Sequence, residues 1–275
     1  MRLFVTGGTG FIGGHFLRAS LAAGHEVIAL RRKGSTPRIR LKTEPTWIDG
    51  DLESDCSSVL RGCDALVHLA AVGTIPRQAN WRDCLHWNVA ASAALWERAA
   101  DAGVQKFVIG GSCFEYGRSA ERFEFIHAQA PLEPLGSYHA SKAAATMAAW
   151  GLAIERSLSL VILRPFHVFG DGEESSRFWP SLRAAAYAGS DFPMTAGDQV
   201  RDFVPVEQVA SEFLASLSRP LPIGQPEARN IGTGRPKTLR RFAEEWWENF
   251  GATGKLQFGA LPYRTNEVMR YVPQI

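Results

Sequence analysis

The stretch Val5-Thr6-Gly7-Gly8-Thr9-Gly10-Phe11-Ile12-Gly13 decides the reading of the fold. It joins a short apolar run at 3–5 to a segment with helical apolar spacing over 11–23, which stops at Gly24. In such a turn one glycine makes the tight bend, and a second lets backbone amides approach a pyrophosphate. A third lets helix and strand pack closely. The helix start then offers unpaired N–H groups and the positive end of its dipole to an anion. A glycine pattern alone is a weak sign, and its place between a strand and a helix gives it weight. Gly7, Thr9, Gly10, Phe11 and Ile12 are therefore candidate contacts to a dinucleotide.

Outward from this turn, apolar runs alternate with amphipathic stretches. Further runs fall at 27–30, 47–48, 65–70, 107–109 and 158–163, and long helical stretches at 81–102 and 137–156. Continuous apolar runs separated by helices are what a parallel sheet buried on both faces requires. The fold class is α/β, a doubly wound parallel sheet with right-handed crossovers. After Arg164-Pro165 prolines and aromatics become frequent, with helices expected over 179–188, 206–217 and 239–250 and a turn at Ile231-Gly232-Thr233-Gly234. The expected division is a dinucleotide-binding domain over 1–164, with elements from about 203–232 packing back on it. A small C-terminal substrate lobe then takes 165–202 and 233–275.

The 275 residues suffice for one large domain or one domain plus a small lobe. Thirty basic residues face 28 acidic ones, a formal charge of +2, which gives no reason to expect nucleic acid or an anionic membrane as partner. No apolar stretch is long enough to span a bilayer, and the opening run is too short and too broken for a signal peptide. The four cysteines, Cys56, Cys63, Cys84 and Cys113, show no CxxC pair and no metal-ligand spacing, so a reduced, cytoplasmic protein without a metal is expected.

The end of the second strand normally selects the cofactor, because an acidic residue there binds the ribose hydroxyls of NAD. Here it reads Leu30-Arg31-Arg32-Lys33. Guanidinium groups at Arg31 and Arg32 suit a 2′-phosphate, which favours NADP(H) over NAD(H). Asp51-Leu52 follows the third strand. Asp51 either accepts from an adenine amino group or caps the short helix behind it.

Tyr138 and Lys142 stand four residues apart and share one helix face. A free tyrosine, with a pKa of ~10, exchanges protons poorly at neutral pH. An ammonium one turn away is expected to lower that value. Ser112 follows the run 107–109, where a strand end points into the ligand crevice and a hydroxyl can donate to a substrate oxygen.

At this point the sequence resembles the extended short-chain dehydrogenases/reductases of the nucleotide-sugar epimerase/dehydratase group. The matching motifs are the glycine turn, His68-Leu69-Ala70-Ala71, Asn88-Val89, Ser112 before Tyr116-Gly117, Tyr138 with Lys142, Leu163-Arg164-Pro165, Arg201-Asp202-Phe203-Val204 and Asn230-Ile231-Gly232. The resemblance implies Tyr138 as acid/base, Lys142 also on the nicotinamide ribose, and Ser112 on the reacting oxygen. It implies Asn88 supporting a proton-relay water, and Leu69, Ala70 and Ala71 lining the cofactor. Pro165 and His167 would lie by the nicotinamide; His167, which replaces the asparagine of many relatives, either touches the substrate or fills the wall beneath that ring. Arg201 would contact a substrate diphosphate, and Arg264 is a second candidate. The loops at 74–80 and 166–200, Thr74 included, would shape the sugar site.

The resemblance also has gaps. Dehydratases of the group place an Asp-Glu pair directly after the Ser/Thr, where this chain has Cys113 and Phe114. A phenylalanine cannot protonate a leaving hydroxyl, and Phe114 also stands where the GDP-fucose synthase type carries its acid/base cysteine, so C3/C5 epimerisation lacks its expected residue. Cys113 and Phe114 are read as pocket wall. The expected activity is NADPH-dependent reduction of a nucleoside-diphosphate 4-keto-6-deoxy sugar to the 6-deoxy sugar. The alternative is a nucleotide-sugar 4-epimerase, and a non-catalytic dinucleotide sensor is the reading from another class. The alanine-rich stretch 140–149 permits close helix packing, and the resemblance implies a homodimer in which its helix and the one near 87–102 build a four-helix bundle.

Overall fold

The structure is a computed structural model that describes residues 1–75 and 80–275; the part of the expected sugar-site loop at 76–79 lies outside them. The first six strands are β1 (Arg2–Thr6), β2 (Glu26–Arg31), β3 (Thr46–Asp49), β4 (Ala65–His68), β5 (Lys106–Gly110) and β6 (Ser159–Pro165). Beyond them come β7 (His167–Phe169), β8 (Phe192–Pro193), β9 (Val200–Arg201), β10 (Phe203–Pro205), β11 (Glu227–Ile231), β12 (Lys237–Thr238), β13 (Leu256–Gln257) and β14 (Arg270–Tyr271). The helices are α1 (Phe11–Ala22), α2 (Ser57–Leu60), α3 (Trp81–Leu85), α4 (Ser92–Asp101), α5 (Ser137–Glu155), α6 (Phe178–Tyr187), α7 (Val206–Ser218) and α8 (Leu239–Asn249).

Seven strands form one parallel sheet in the order β11-β6-β5-β4-β1-β2-β3. Side chains alternate between its faces, as the pleat requires. Leu3 and Val5 of β1 join a core with Phe16 and Leu17 of α1 and Phe213 and Leu217 of α7. Phe4 between them joins the opposite core with Leu95 and Trp96 of α4 and Ala145 and Ala149 of α5. The sheet is thus doubly wound. Strand order reverses between β1 and β4, which places a ligand crevice at their C-terminal ends.

Two elements depart from the expected pattern. The stretch 81–102 is not one regular helix, because a π-helical segment, His86–Ala91, separates α3 from α4. The Ser92 hydroxyl donates to the Trp87 carbonyl five residues back, as the widened turn allows, and Asn88 is turned inward. β11, Glu-Ala-Arg-Asn-Ile, lacks an apolar run because it is an edge strand whose residues are mostly half-buried. Through it and α7, which lies against α1, the chain returns to the sheet after leaving it at Pro165. The remaining lobe has its own small core of Leu182, Ala186, Met194, Ala243 and Trp247.

Candidate active site

The crevice floor is set by backbone contact. Gly7 has φ +74°, and a Cβ on it would meet Ala70 N and the Leu69 carbonyl carbon at 2.4 Å. A Cβ on Gly13 would meet Gly7 O at 2.0 Å. These positions exclude side chains, so the β1–α1 turn and the strand end at Leu69-Ala70 close on one another and leave a backbone-lined cradle. Gly10 N-caps α1, and no side chain caps it. Bare helix amides beside such a cradle fit a pyrophosphate. Phe11 and Ile12 open that helix half-buried, Thr9 sits in the turn, and Ala71 is exposed just beyond the cradle.

The reacting groups gather at the ends of β5 and β6. Ser112, 6% exposed, caps a 3₁₀ turn, Cys113–Glu115, and its hydroxyl accepts from Phe114 N at 3.2 Å. Across from it α5 brings in Tyr138 and, one turn on, the buried Lys142. Asn88 reaches α5 from the π segment. Its amide donates to Ser141 Oγ (2.9 Å) and to the Val72 carbonyl (3.0 Å), while its oxygen accepts from Val72 N (2.8 Å). The loop after β4 is thereby tied to the catalytic helix.

The electrostatics differ from the sequence expectation. Burial pushes the Tyr138 phenol up to about 12, with Ser112 acting in the opposite sense. The Lys142 ammonium, expected to serve the phenol, donates to the Gly110 carbonyl at 2.5 Å. Burial lowers the pKa of Lys142 itself, and the carboxylate of Glu115 resists that shift.

Phe114 forms the wall beside the phenol. It stacks on His139 at 4.8 Å between centroids and meets the ring edges of His167 and Tyr271. Burial holds His167 well below its ordinary pKa, so it is neutral, with Nδ1 unpartnered. Pro165 is buried at the end of β6. Cys113 is 1% exposed, and burial pushes its thiol up to about 12, which suits a wall residue and not a nucleophile.

Several expected contacts are engaged elsewhere. Arg31 pairs with Asp49 at 2.8 Å and lies over the Trp47 ring, because β2 and β3 bring those residues into register. Arg32 is exposed. Asp51 accepts from Glu53 N and Ser54 N in its own turn and does not cap the following helix α2, whose N-cap is Cys56, while Leu52 is buried in the core. Arg201 is 7% exposed and turned into the lobe, where it pairs with Glu267 at 2.6 Å and bonds the Val268 carbonyl. Arg264 is exposed on the same loop as Glu267. Thr74 is exposed, and its carbonyl accepts from Arg177 at 3.5 Å.

That last contact marks a residue the sequence reading missed. Arg177, just before α6, carries a charge felt at Tyr138, Cys113 and His167, so it faces the catalytic groups. Its partner Glu173 stands four residues earlier in the loop before α6, with a side chain 8% exposed. The i,i+4 spacing of Glu173 and Arg177 was the available signal.

A backbone cradle at the switch point, with a Ser, Tyr and Lys set above it, defines a dinucleotide-binding enzyme of the extended short-chain dehydrogenase/reductase type. A family model described as the NAD dependent epimerase/dehydratase family matches residues 3–232, and the chain belongs to that family. It is 26% identical over 273 residues to the CDP-abequose synthase of Salmonella muenchen, covering 98% of this chain and 87% of that protein. To the dTDP-6-deoxy-L-talose 4-dehydrogenase (NAD(+)) of Aggregatibacter actinomycetemcomitans it is 25% identical over 276 residues, covering 98% of each. The solved structure of MoeE5 in complex with UDP-glucuronic acid and NAD superposes with a TM-score of 0.85 at 26% identity, covering 100% of this chain and 90% of that one. Among the described residues no helix is long and apolar enough to cross a membrane.

Proposed function

We propose that the chain reduces the 4-keto group of a nucleoside-diphosphate 6-deoxy sugar with NADPH. The observation that carries this reading is the set of side chains at the crevice: Ser112 hydrogen-bonded to Tyr138, Lys142 one helical turn on, and Phe114 where a dehydratase acid would stand. A phenol keeps its proton at neutral pH, which makes Tyr138 the donor that reduction needs. Two relatives bear names of matching chemistry, a 4-dehydrogenase of a dTDP-6-deoxy sugar and a CDP-sugar synthase.

The Gly7–Gly13 cradle and the α1 amides would hold the pyrophosphate, Lys142 the nicotinamide ribose, and Arg32 a 2′-phosphate. Bound there, the reduced dinucleotide supplies the hydride. Ser112 then orients the keto oxygen, and the Tyr138 hydroxyl gives its proton to that oxygen as it becomes an alkoxide. The Phe114–His139 stack screens this oxygen from water. Arg177 and Arg264 are the cations available to a sugar diphosphate, with Arg201 behind them. All four cysteines are free and buried, which suits the cytoplasm. Exposed Trp81, Leu85, Met147 and Ile154 on α3 and α5 support a homodimer, which a monomeric mass in sedimentation would remove.

The test is oxidation of NADPH on addition of an NDP-4-keto-6-deoxy sugar. Tyr138→Phe should still bind NADPH and should lose roughly 10²–10⁴-fold in kcat, the span of a general acid. Sugar isomerisation without net cofactor consumption would instead identify a 4-epimerase, the second reading, which the same three residues can serve. Tighter binding of NADH than of NADPH would reverse the cofactor preference, a result that the Arg31–Asp49 pair makes worth seeking.

A further inference from the structure

Glu115 is fully buried directly behind the catalytic groups, and the chemistry proposed above leaves it unused. One oxygen accepts from the main-chain N–H of Ser112 at 2.8 Å. The other accepts from Thr146 Oγ1 and from Arg164 Nε, both at 2.8 Å. Thr146 lies one turn beyond Lys142 on α5, and Arg164 lies on β6. The carboxylate therefore joins the Ser112 turn, the helix of Tyr138 and Lys142, and the sheet. The arrangement needs Gly111, where a Cβ would meet the Glu115 oxygen at 2.8 Å.

We infer that Glu115 is a positioning residue for the whole Ser112, Tyr138 and Lys142 set, fixing the Ser112 main chain against α5 and β6 and holding a buried negative charge behind Tyr138 and Lys142. This rests on the reductase reading only for its kinetic consequence. A buried anion favours the ammonium over the amine and disfavours the phenolate. Its charge raises the pKa of Lys142 and of Tyr138 alike. Removing it lets each lose its proton at lower pH.

The other groups facing the pair do not supply this charge. His68 on β4 is neutral, lowered to about 3 by burial, and the Cys113 thiol is pushed up to about 12. Arg177 acts on Tyr138 in the opposite sense. Arg164 is not among the charges acting on Lys142. Its second anchor is the Tyr116 hydroxyl at 3.0 Å, which burial pushes up to about 12.

The experiment compares Glu115→Gln, Glu115→Asp and the double variant Glu115→Gln with Arg164→Met, which does not leave Arg164 buried without its partner. Two readouts are taken, the pH profile of kcat and the ultraviolet onset of tyrosinate, the second corrected with Tyr138→Phe in the same background. In the Gln variants the alkaline limb and the Tyr138 onset should move down by roughly one pH unit, with dinucleotide affinity retained. Glu115→Asp keeps the charge but not the reach, so it should melt earlier and leave both in place. A folded double variant with the wild-type limb and onset would overturn the inference, as would an Asp variant that shifts like Gln. Should no keto sugar be turned over, the reductase reading fails by itself, and the tyrosinate onset still decides the role of Glu115.

Discussion

Burial decides the ionisation of the side chains around the reaction centre more than neighbouring charge does. Glu173 shows the same balance outside the catalytic set. Its Oε2 has no partner, and burial raises its pKa from 4.5 to about 7 although Arg177 pulls the other way. A carboxyl whose folded pKa is raised is protonated longer in the folded chain than in the unfolded one. Below its ordinary pKa it contributes nothing; the penalty grows as pH rises from about 4.5 to about 7 and stays at its full value above that. Glu173→Gln should therefore stabilise the protein by about 1–3 kcal/mol above pH 7 and leave it unchanged near pH 4, read from urea unfolding at both pH values. An equal effect at both would show that the carboxyl is ionised throughout. The roles of Tyr138, Lys142 and Ser112 were legible from residue type and spacing. Their charge states were not, because desolvation and the draw of the Gly110 carbonyl on Lys142 exist only once the chain is folded.

Glycines separate element from element by what surrounds them. A methyl on Gly13 would press on Gly7 O at 2.0 Å and on Gly8 Cα at 3.0 Å, whereas one on Gly151 in α5 meets nothing within 4 Å. Gly13→Ala should cost about 1–3 kcal/mol by overpacking and weaken dinucleotide binding, since helix and strand can no longer close. Gly151→Ala should add about 0.4–1 kcal/mol by helix propensity alone. Unfolding and dinucleotide titration of both variants check the contrast, which fails if the two behave alike. At this scale the first six strands and the long helices could be read from apolar periodicity. The π segment could not, since Asn88 is held inward by Val72 and Ser141, which are distant in sequence. Nor could β11, whose pairing with β6 and not its composition makes it a strand.

The whole molecule combines a sheet with two large cores and a lobe with a small one. Trp247 anchors the lobe, 9% exposed, with its indole N–H on the Gly254 carbonyl at 3.1 Å. Trp247→Ala should remove about 3–5 kcal/mol of local stability. Because the lobe core is separate, hydrogen exchange should quicken in α6 and α8 while β1 to β6 keep their protection; uniform loss would show a single cooperative unit. By itself the sequence determined the alternation of strand and helix, the glycine turn, and the candidacy of Ser112, Tyr138 and Lys142, which the fold brings to one crevice. Each of these follows from local pattern and steric need. The fold alone decided which cations remain free to meet a ligand, for Arg31 and Arg201 are taken up by Asp49 and Glu267. It alone placed Arg177 and Glu115 against the catalytic groups. Those outcomes depend on which charges are brought together and hidden from water, and no local pattern carries that information.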